Sequence, residues 1–368
     1  MSMRTGYANL PLHGGRAPPW LFKRMVPLAR AISEIIVEEY SQEEFLRRLS
    51  DPFFFQSLGC VVSFDWHSSG LTTTLCGALK EALNDANLGI AIGGGKGKTS
   101  RKTPQEIEQF GEAFSLTTQK IERLVYSSKM AAKVDSAAVQ DGYQLYHHVF
   151  VMTEKGKWAV IQQGMNPNRP TTEGRQTGGY ARRYHWLSEN VRSFIEESQV
   201  VCCDRKEEEV LNMVSDESKN AQKVSLDALD EANLQKTLDD FLGKEIPHFS
   251  MHAKHTFRLS KITKNALMRA AEINPQNYEE LLSLRGIGPA SVRALALISE
   301  TIYGTPASWK DPVKYSFTHG GKDGIPYPVD RPTYDKSIEI LRNAIDNAKI
   351  GQKDKLHALR KLNEFASK

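Results

Sequence analysis

Side chains able to do chemistry cluster at several places along the chain. Asp65 and His67 stand two apart in the run Phe64-Asp65-Trp66-His67. On an extended segment that spacing puts both on one face. The pair suits a divalent metal or acid–base work; a turn aspartate beside a satisfied histidine is the plainer alternative. Asp135 closes the stretch that starts at Lys129, and the chain passes through Asp141 to His147-His148 and then to Gln162-Gln163. Asp65, His67, Asp135 and His147 are the candidates for magnesium- or manganese-dependent catalysis. Arg169, Arg175, Arg182 and Arg183 are interleaved with Tyr180, Tyr184 and Trp186. Cations alternating with rings suit a strand of single-stranded nucleic acid, and a solvated basic face is the alternative. Gly93-Gly94-Gly95-Lys96-Gly97-Lys98-Thr99 is rich in glycine, but a P-loop needs a further glycine where Ile92 stands. Lys96 and Lys98 therefore read as a basic clamp on a nucleic-acid backbone rather than as part of a nucleotide-hydrolysing loop.

These residues need elements to position them. Residues 24–49 carry apolar side chains at helical spacing. Residues 60–67 read as a strand, and Leu71 to Leu83 as the helix after it, capped by Ser68 or Ser69. Leu88 to Ile92 reads as a short strand leading into the glycine loop. Thr103-Pro104-Gln105-Glu106 is a helix start, and helix is expected from Glu106 to about Tyr126, interrupted at Gly111 or at the Thr117-Thr118 pair. Tyr143 to Val151, a turn at Glu154-Lys155-Gly156-Lys157, and Trp158 to Gln163 form a β-hairpin. Residues 166–180 read as a long polar loop, a frequent place for function. Residues 207–242 are acidic and helix-prone. From His248 the chain reads as helical, apart from a loop at 305–333.

The chain has 368 residues, 40% hydrophobic and 25% charged, with net charge +4. That composition is globular, and no apolar run is long enough for a membrane helix. The first twenty residues lack the apolar segment of a secretory signal. The cysteines Cys60, Cys76, Cys202 and Cys203 include no C-x-x-C pair, so no thiolate metal site is expected. A cytoplasmic protein is expected. The fold class is α+β, with an N-terminal mixed α/β domain carrying the hairpin and a C-terminal all-α domain. The expected boundaries are 1–200, an acidic helical connector at 201–245, and 246–368.

The C-terminal half holds Tyr278-Glu279-Glu280-Leu281-Leu282-Ser283-Leu284-Arg285-Gly286-Ile287-Gly288-Pro289-Ala290-Ser291-Val292. A short helix ends near Leu284, two glycines turn the chain, and a second helix starts at Pro289. Ile287 pins the turn, and the free N–H groups of Gly286, Gly288, Ala290 and Ser291 offer a phosphate site. This resembles the helix-hairpin-helix motif of DNA-repair proteins, which grips the backbone without reading sequence. Farther on, Ile325-Pro326-Tyr327-Pro328-Val329-Asp330-Arg331 precedes a helical run. The order is similar to that of base-excision glycosylases of the helix-hairpin-helix superfamily. The resemblance implies that Asp330 is the catalytic aspartate, stabilising charge on the sugar as the base departs. Ala290 stands where bifunctional members carry lysine. The loop Thr318-His319-Gly320-Gly321-Lys322-Asp323-Gly324 offers Lys322, with His319 beside it, as a Schiff-base nucleophile for strand cleavage.

Nearly the whole chain resembles an archaeal and bacterial family, domain of unknown function 763. The resemblance is carried by Arg4 to Gly15, Asp141 to His148, and His319 to Gly324, and it implies a prokaryotic cytoplasmic protein. The leading expectation is a DNA-repair glycosylase, with or without lyase activity, acting on damaged or deaminated bases without a cofactor. A metal-dependent structure-specific endonuclease is the alternative, and a non-catalytic DNA-binding module the third. In a restriction-type nuclease a carboxylate-x-Lys would occupy the return strand, where Ile161-Gln162-Gln163 stands instead. Single-stranded or damaged duplex DNA is the expected partner, with other repair or single-strand-binding proteins as a further class.

Overall fold

The computed structural model describes residues 17–62, 70–166, 180–203, 206–229, 234–235, 237–239, 259–315 and 331–366. The helices are α1 (Pro19–Glu39), α2 (Gln42–Ser50), α3 (Pro52–Val61), α4 (Gly70–Leu83), α5 (Thr103–Ala113), α6 (Thr118–Lys133) and α7 (Lys219–Asp227). They continue with α8 (Lys261–Ile273), α9 (Tyr278–Ser283), α10 (Pro289–Thr301), α11 (Arg331–Asn347) and α12 (Gln352–Ala366). The strands are β1 (Ile90–Lys96), β2 (Val139–Gln140), β3 (Gln144–Thr153), β4 (Trp158–Asn166), β5 (Tyr180–Leu187), β6 (Val200–Cys202), β7 (Leu211–Asn212) and β8 (Val313–Tyr315).

Six of these strands form one sheet in the order β1-β3-β4-β5-β6-β8. All neighbours run antiparallel except β6 and β8, which are parallel. The expected hairpin is its centre: Val149 pairs with Ile161 and Phe150 with Val160. Period-2 alternation then divides the sheet between two helical layers. Val149, Val151 and Ile161 pack among α1–α4, α11 and α12. Phe150, Met152 and Val160 pack among α6, α7 and α8–α10. The protein is α+β, as expected.

Local signals set several helix starts. Ser41 accepts from the Glu44 N–H at 3.0 Å, which breaks the expected 24–49 helix into α1 and α2. Asp51 accepts from the N–H groups of Phe53 and Phe54, with Pro52 at the first position of α3. That cap starts a helix through Cys60 and Val61, where the β-rich composition predicts a strand. Every residue of α3 is buried, so it shows no amphipathic period to read.

Other expectations also change. The glycine loop is largely strand: Gly93, Gly94 and Gly95 lie in β1 and pair with Phe150, Val149 and His148. Gly94 has φ +92°, and a Cβ there would stand 2.2 Å from the His148 carbonyl oxygen. Only glycine lets β1 pass so close to β3. Helix α6 runs past Tyr126 to Lys133. Within the expected acidic helical connector, 201–245, β6 joins the main sheet, β7 pairs with β2, and Val210, Met213 and Ala221 are core residues. Helices α8–α10 share a core with α6, helices α11 and α12 share one with α1 and α3, and β8 extends the sheet. All four cysteines are buried.

Arg182 and Arg183, expected on a DNA-binding surface, are inside. Residues 180–187 form a strand, and from Ala181 to Leu187 it is buried on both faces. Arg182 pairs with Asp141 at 3.0 Å and Asp311 at 2.7 Å, and none of its side chain is exposed. Arg183 donates to Gln56, Thr72 and the Pro52 carbonyl. Neither guanidinium can meet a phosphate backbone in this fold. Removing one carboxylate from the Arg182 pair leaves buried charge undercompensated. Asp311→Ala is expected to lower unfolding free energy in urea by about 3–5 kcal/mol. Lys219→Ala, which opens an exposed pair with Asp216, is expected to leave the urea midpoint in place.

Candidate functional site

Strand alternation parts the two adjacent histidines. His148, on β3, faces α6, where Ser128 Oγ lies 2.8 Å from its Nε2. Its Nδ1 lies 2.9 Å from Gln162 Oε1 on the paired strand β4. The Gln162 Nε2 donates to Asp135 Oδ2 at 2.7 Å. Trp186 Nε1 donates to the same oxygen at 2.7 Å. The amide thus presents its oxygen to the imidazole, so Nδ1 carries the proton and Nε2 accepts from the Ser128 hydroxyl. The result is a four-member line: Asp135, Gln162, His148, Ser128.

Its electrostatics follow from burial. Asp135 is fully enclosed, and desolvation pushes its pKa well above the usual carboxylate range against the two donated hydrogen bonds. Its Oδ1 has no hydrogen-bond partner among the described residues. Desolvation also lowers the His148 pKa, with the Gln162 hydrogen bond opposing it. Burial thus favours the neutral imidazole, with Nε2 as the hydrogen-bond acceptor.

Ser128, His148 and Gln162 line a cavity of about 220 Å³ whose other walls include Arg101, Lys129 and Tyr146. Lys96 ends β1 exposed, with its Nζ 5.7 Å from the centre of the Tyr146 ring. Lys98 is exposed in the adjoining 3-10 turn, Gly97–Lys102. A second cavity of about 710 Å³ includes Lys133, Tyr143, Ser283 and Pro289 in its walls. The two share Lys129, Ala132 and Leu145, so they lie side by side along α6.

The outer cavity reaches the turn between α9 and α10. Gly286 there has φ +96°, and Ile287 is buried. Gly288 begins α10 with no side-chain cap, and Pro289 and Ala290 are exposed. Ser291 is buried, so its hydroxyl is not on the surface expected for it. Two contacts seat this turn. Lys133 Nζ donates to the Leu284 carbonyl at 3.2 Å. Gln140 Nε2 donates to the Pro289 carbonyl at 2.8 Å, while its Oε1 accepts from Arg293.

The structure thus brings Asp135 to His148, through Gln162, and not to the expected His147. His147 faces the other layer, 1% exposed, and neither ring nitrogen has a hydrogen-bond partner among the described residues. Asp65, His67, Arg169, Arg175, His319, Lys322 and Asp330 lie outside the described residues, as do Ser68 and Ser69. Among the described residues no three His, Cys, Asp or Glu side chains gather as a metal group, and no helix is long and apolar enough to cross a membrane. Sequence reasoning missed Ser128. The hairpin pairing was the available signal for His148 and Gln162, which stand opposite each other in register.

Fold and site define an α+β protein in which a buried serine–histidine line opens beside a lysine-lined groove. The chain belongs to the family described as Protein of unknown function (DUF763), whose model matches residues 6–329. No curated protein and no solved structure matches it.

Burial of neutral histidine gives a pH signature. Desolvation, then His148 and Lys96, lower the His147 pKa from 6.5 to about 3. The unfolded chain takes up this proton below pH 6.5 and the folded one does not, so stability falls as pH drops through that window. His147 alone contributes a slope of about 1.4 kcal/mol per pH unit there. Urea titrations at pH 7, 5.5 and 4.5 are expected to show a shallower decline for His147→Leu than for the parent chain.

Proposed function

We propose that this protein is a DNA-repair enzyme that holds single-stranded or damaged duplex DNA by its backbone. The observation that carries the reading is the shared groove along α6. At one end stands the Gly286–Gly288 turn, read as a helix-hairpin-helix, with uncapped N–H groups at the start of α10. Lys133 and Lys129 line the path from it, and the Ser128–His148 cavity lies at the other end. Helix N-termini and lysines are what a phosphate backbone binds.

Base excision is the reaction offered by the glycosylase resemblance, with Asp330 stabilising the departing base's sugar and Lys322 as the lyase nucleophile. Flipping a base from the stack costs least in damaged or single-stranded DNA. That reaction needs no cofactor. A second reading, cleavage of the phosphodiester backbone, is favoured by a specific observation: the serine–histidine line faces the same groove as the hairpin. Magnesium or manganese dependence would belong to a metal-assisted form of that reading.

Oligonucleotides carrying uracil, hypoxanthine or 8-oxoguanine, incubated with and without EDTA, separate the two. Abasic product insensitive to EDTA supports excision, and strand breaks without a lesion support the nuclease. Neither product under either condition sinks the enzyme reading. Ala290→Asp tests the grip itself. Its carboxylate suits the first turn of α10, so folding is preserved. It is expected to weaken DNA binding about tenfold in fluorescence anisotropy, because it sets like charge against the phosphate.

A further inference from the structure

We propose that Ser128 and His148 are a nucleophile and its base, acting on a phosphate ester drawn into the inner cavity beside Arg101 and Lys129. Three observations meet there. The Ser128 hydroxyl donates to His148 Nε2 at 2.8 Å, within the distance such pairs need. The other ring nitrogen is fixed by Gln162, itself fixed by Asp135, so the accepting tautomer is held in place. The cavity wall carries two exposed cations, Arg101 and Lys129, where an anionic ester would sit. Asp135 Oδ1, enclosed and without a hydrogen-bond partner, adds a polar atom that ordinary core packing leaves unexplained.

The choice of phosphate over carboxylate esters rests on the DNA-processing reading and on those cations. In the step, Ser128 Oγ forms a bond to phosphorus and its proton passes to His148 Nε2. The bond from phosphorus to the leaving oxygen breaks, and that oxygen takes the proton from His148. Water, deprotonated by the same nitrogen, then displaces Ser128 and restores it. The sum is ester plus water giving phosphate and alcohol. Gln162 and Asp135 are positioning residues that hold the ring.

The probe is diisopropyl fluorophosphate, which does not depend on DNA. Ser128 Oγ attacks its phosphorus, fluoride leaves, and the proton goes to His148. Intact mass and peptide mapping of the full chain are expected to show one adduct, on Ser128. Labelling is expected to slow at least about 100-fold in His148→Asn. Gln162→Leu is expected to slow labelling and move its pH profile, while Gln162→Glu, which keeps an acceptor for Nδ1–H, recovers rate with a profile shifted upward. Should His148→Asn fail to fold, the two Gln162 variants carry the comparison. No adduct on Ser128 in folded wild-type protein, or Gln162→Leu labelling at the wild-type rate and pH profile, overturns the pair. DNA anisotropy on the same samples separates the two ideas. Labelling without DNA binding overturns the DNA reading and keeps the pair; DNA binding without labelling does the reverse.

Discussion

Arg182 is the constraint on which the assembly turns. A guanidinium with no exposed surface must be matched by charge, and here two carboxylates match it. Burial works to lower its pKa, but Asp141 and Asp311 outweigh that and hold it well above its ordinary value. Desolvation raises the pKa of Asp141, while Arg182 and the Tyr184 hydroxyl act against it. Asp141 opens the approach to β3, Arg182 lies in β5, and Asp311 stands just before β8. Asp311 also accepts from the Glu207 N–H at 2.6 Å. Segments far apart in the chain are thereby fixed against the sheet, and β8 gains its place beside β6. The ring of Tyr143 lies under the same guanidinium, 4.6 Å from its centre. The modest net charge of +4 hides such pairs, because charge used inside cancels in the total.

What could be read from sequence was local. The β3–β4 hairpin announces itself by alternation and a Gly156 turn. The α9–α10 turn announces itself by its glycines and by Pro289, and Asn277 caps α9 by accepting from the Glu280 N–H. Helix α3 was not legible, since burial on all sides erases periodicity. Arg182 and Arg183 were misread for a related reason: alternate cationic and aromatic residues look the same on a wet loop and on a strand whose charges are paired at long range. Their partners, Asp311 and Gln56, lie more than a hundred residues away. Long-range packing was equally out of reach: β8 pairs with β6, and α11 and α12 return to pack on helices from the start of the chain.

The candidate site was half legible. Asp135 and the two histidines stood out by type, but only pairing register decides which histidine meets Gln162. One position's shift sends a side chain to the other layer. His147 and His148 thereby acquire unlike roles. One is buried with no hydrogen-bond partner among the described residues, and the other is held at both nitrogens beside a cavity. Gly94 contributes to this division, since a side chain there would push β1 off the His148 carbonyl and open the strand edge beside the site.

The end of α6 ties the site to the hairpin. Its last turns carry Ser128 and Lys129, and a π-helical turn, Val134–Ala138, follows Lys133. Such wide turns are rare and occur mostly as single turns within or at the end of α-helices. Here the turn sends Asp135 inward to Gln162 and Trp186. Just beyond it, Gln140 reaches the Pro289 carbonyl at the start of α10, and Lys133 holds the Leu284 carbonyl from the other side. The groups that orient His148 and the groups that seat the Gly286–Gly288 turn therefore issue from a single short stretch of backbone. A shift of α10 by a bound phosphate backbone would be felt at Gln140 and Lys133, a few residues on either side of Asp135. The seat of the Gly286–Gly288 turn and the alignment of His148 thus share one mechanical support, so that a displacement of either is resisted by the same few residues.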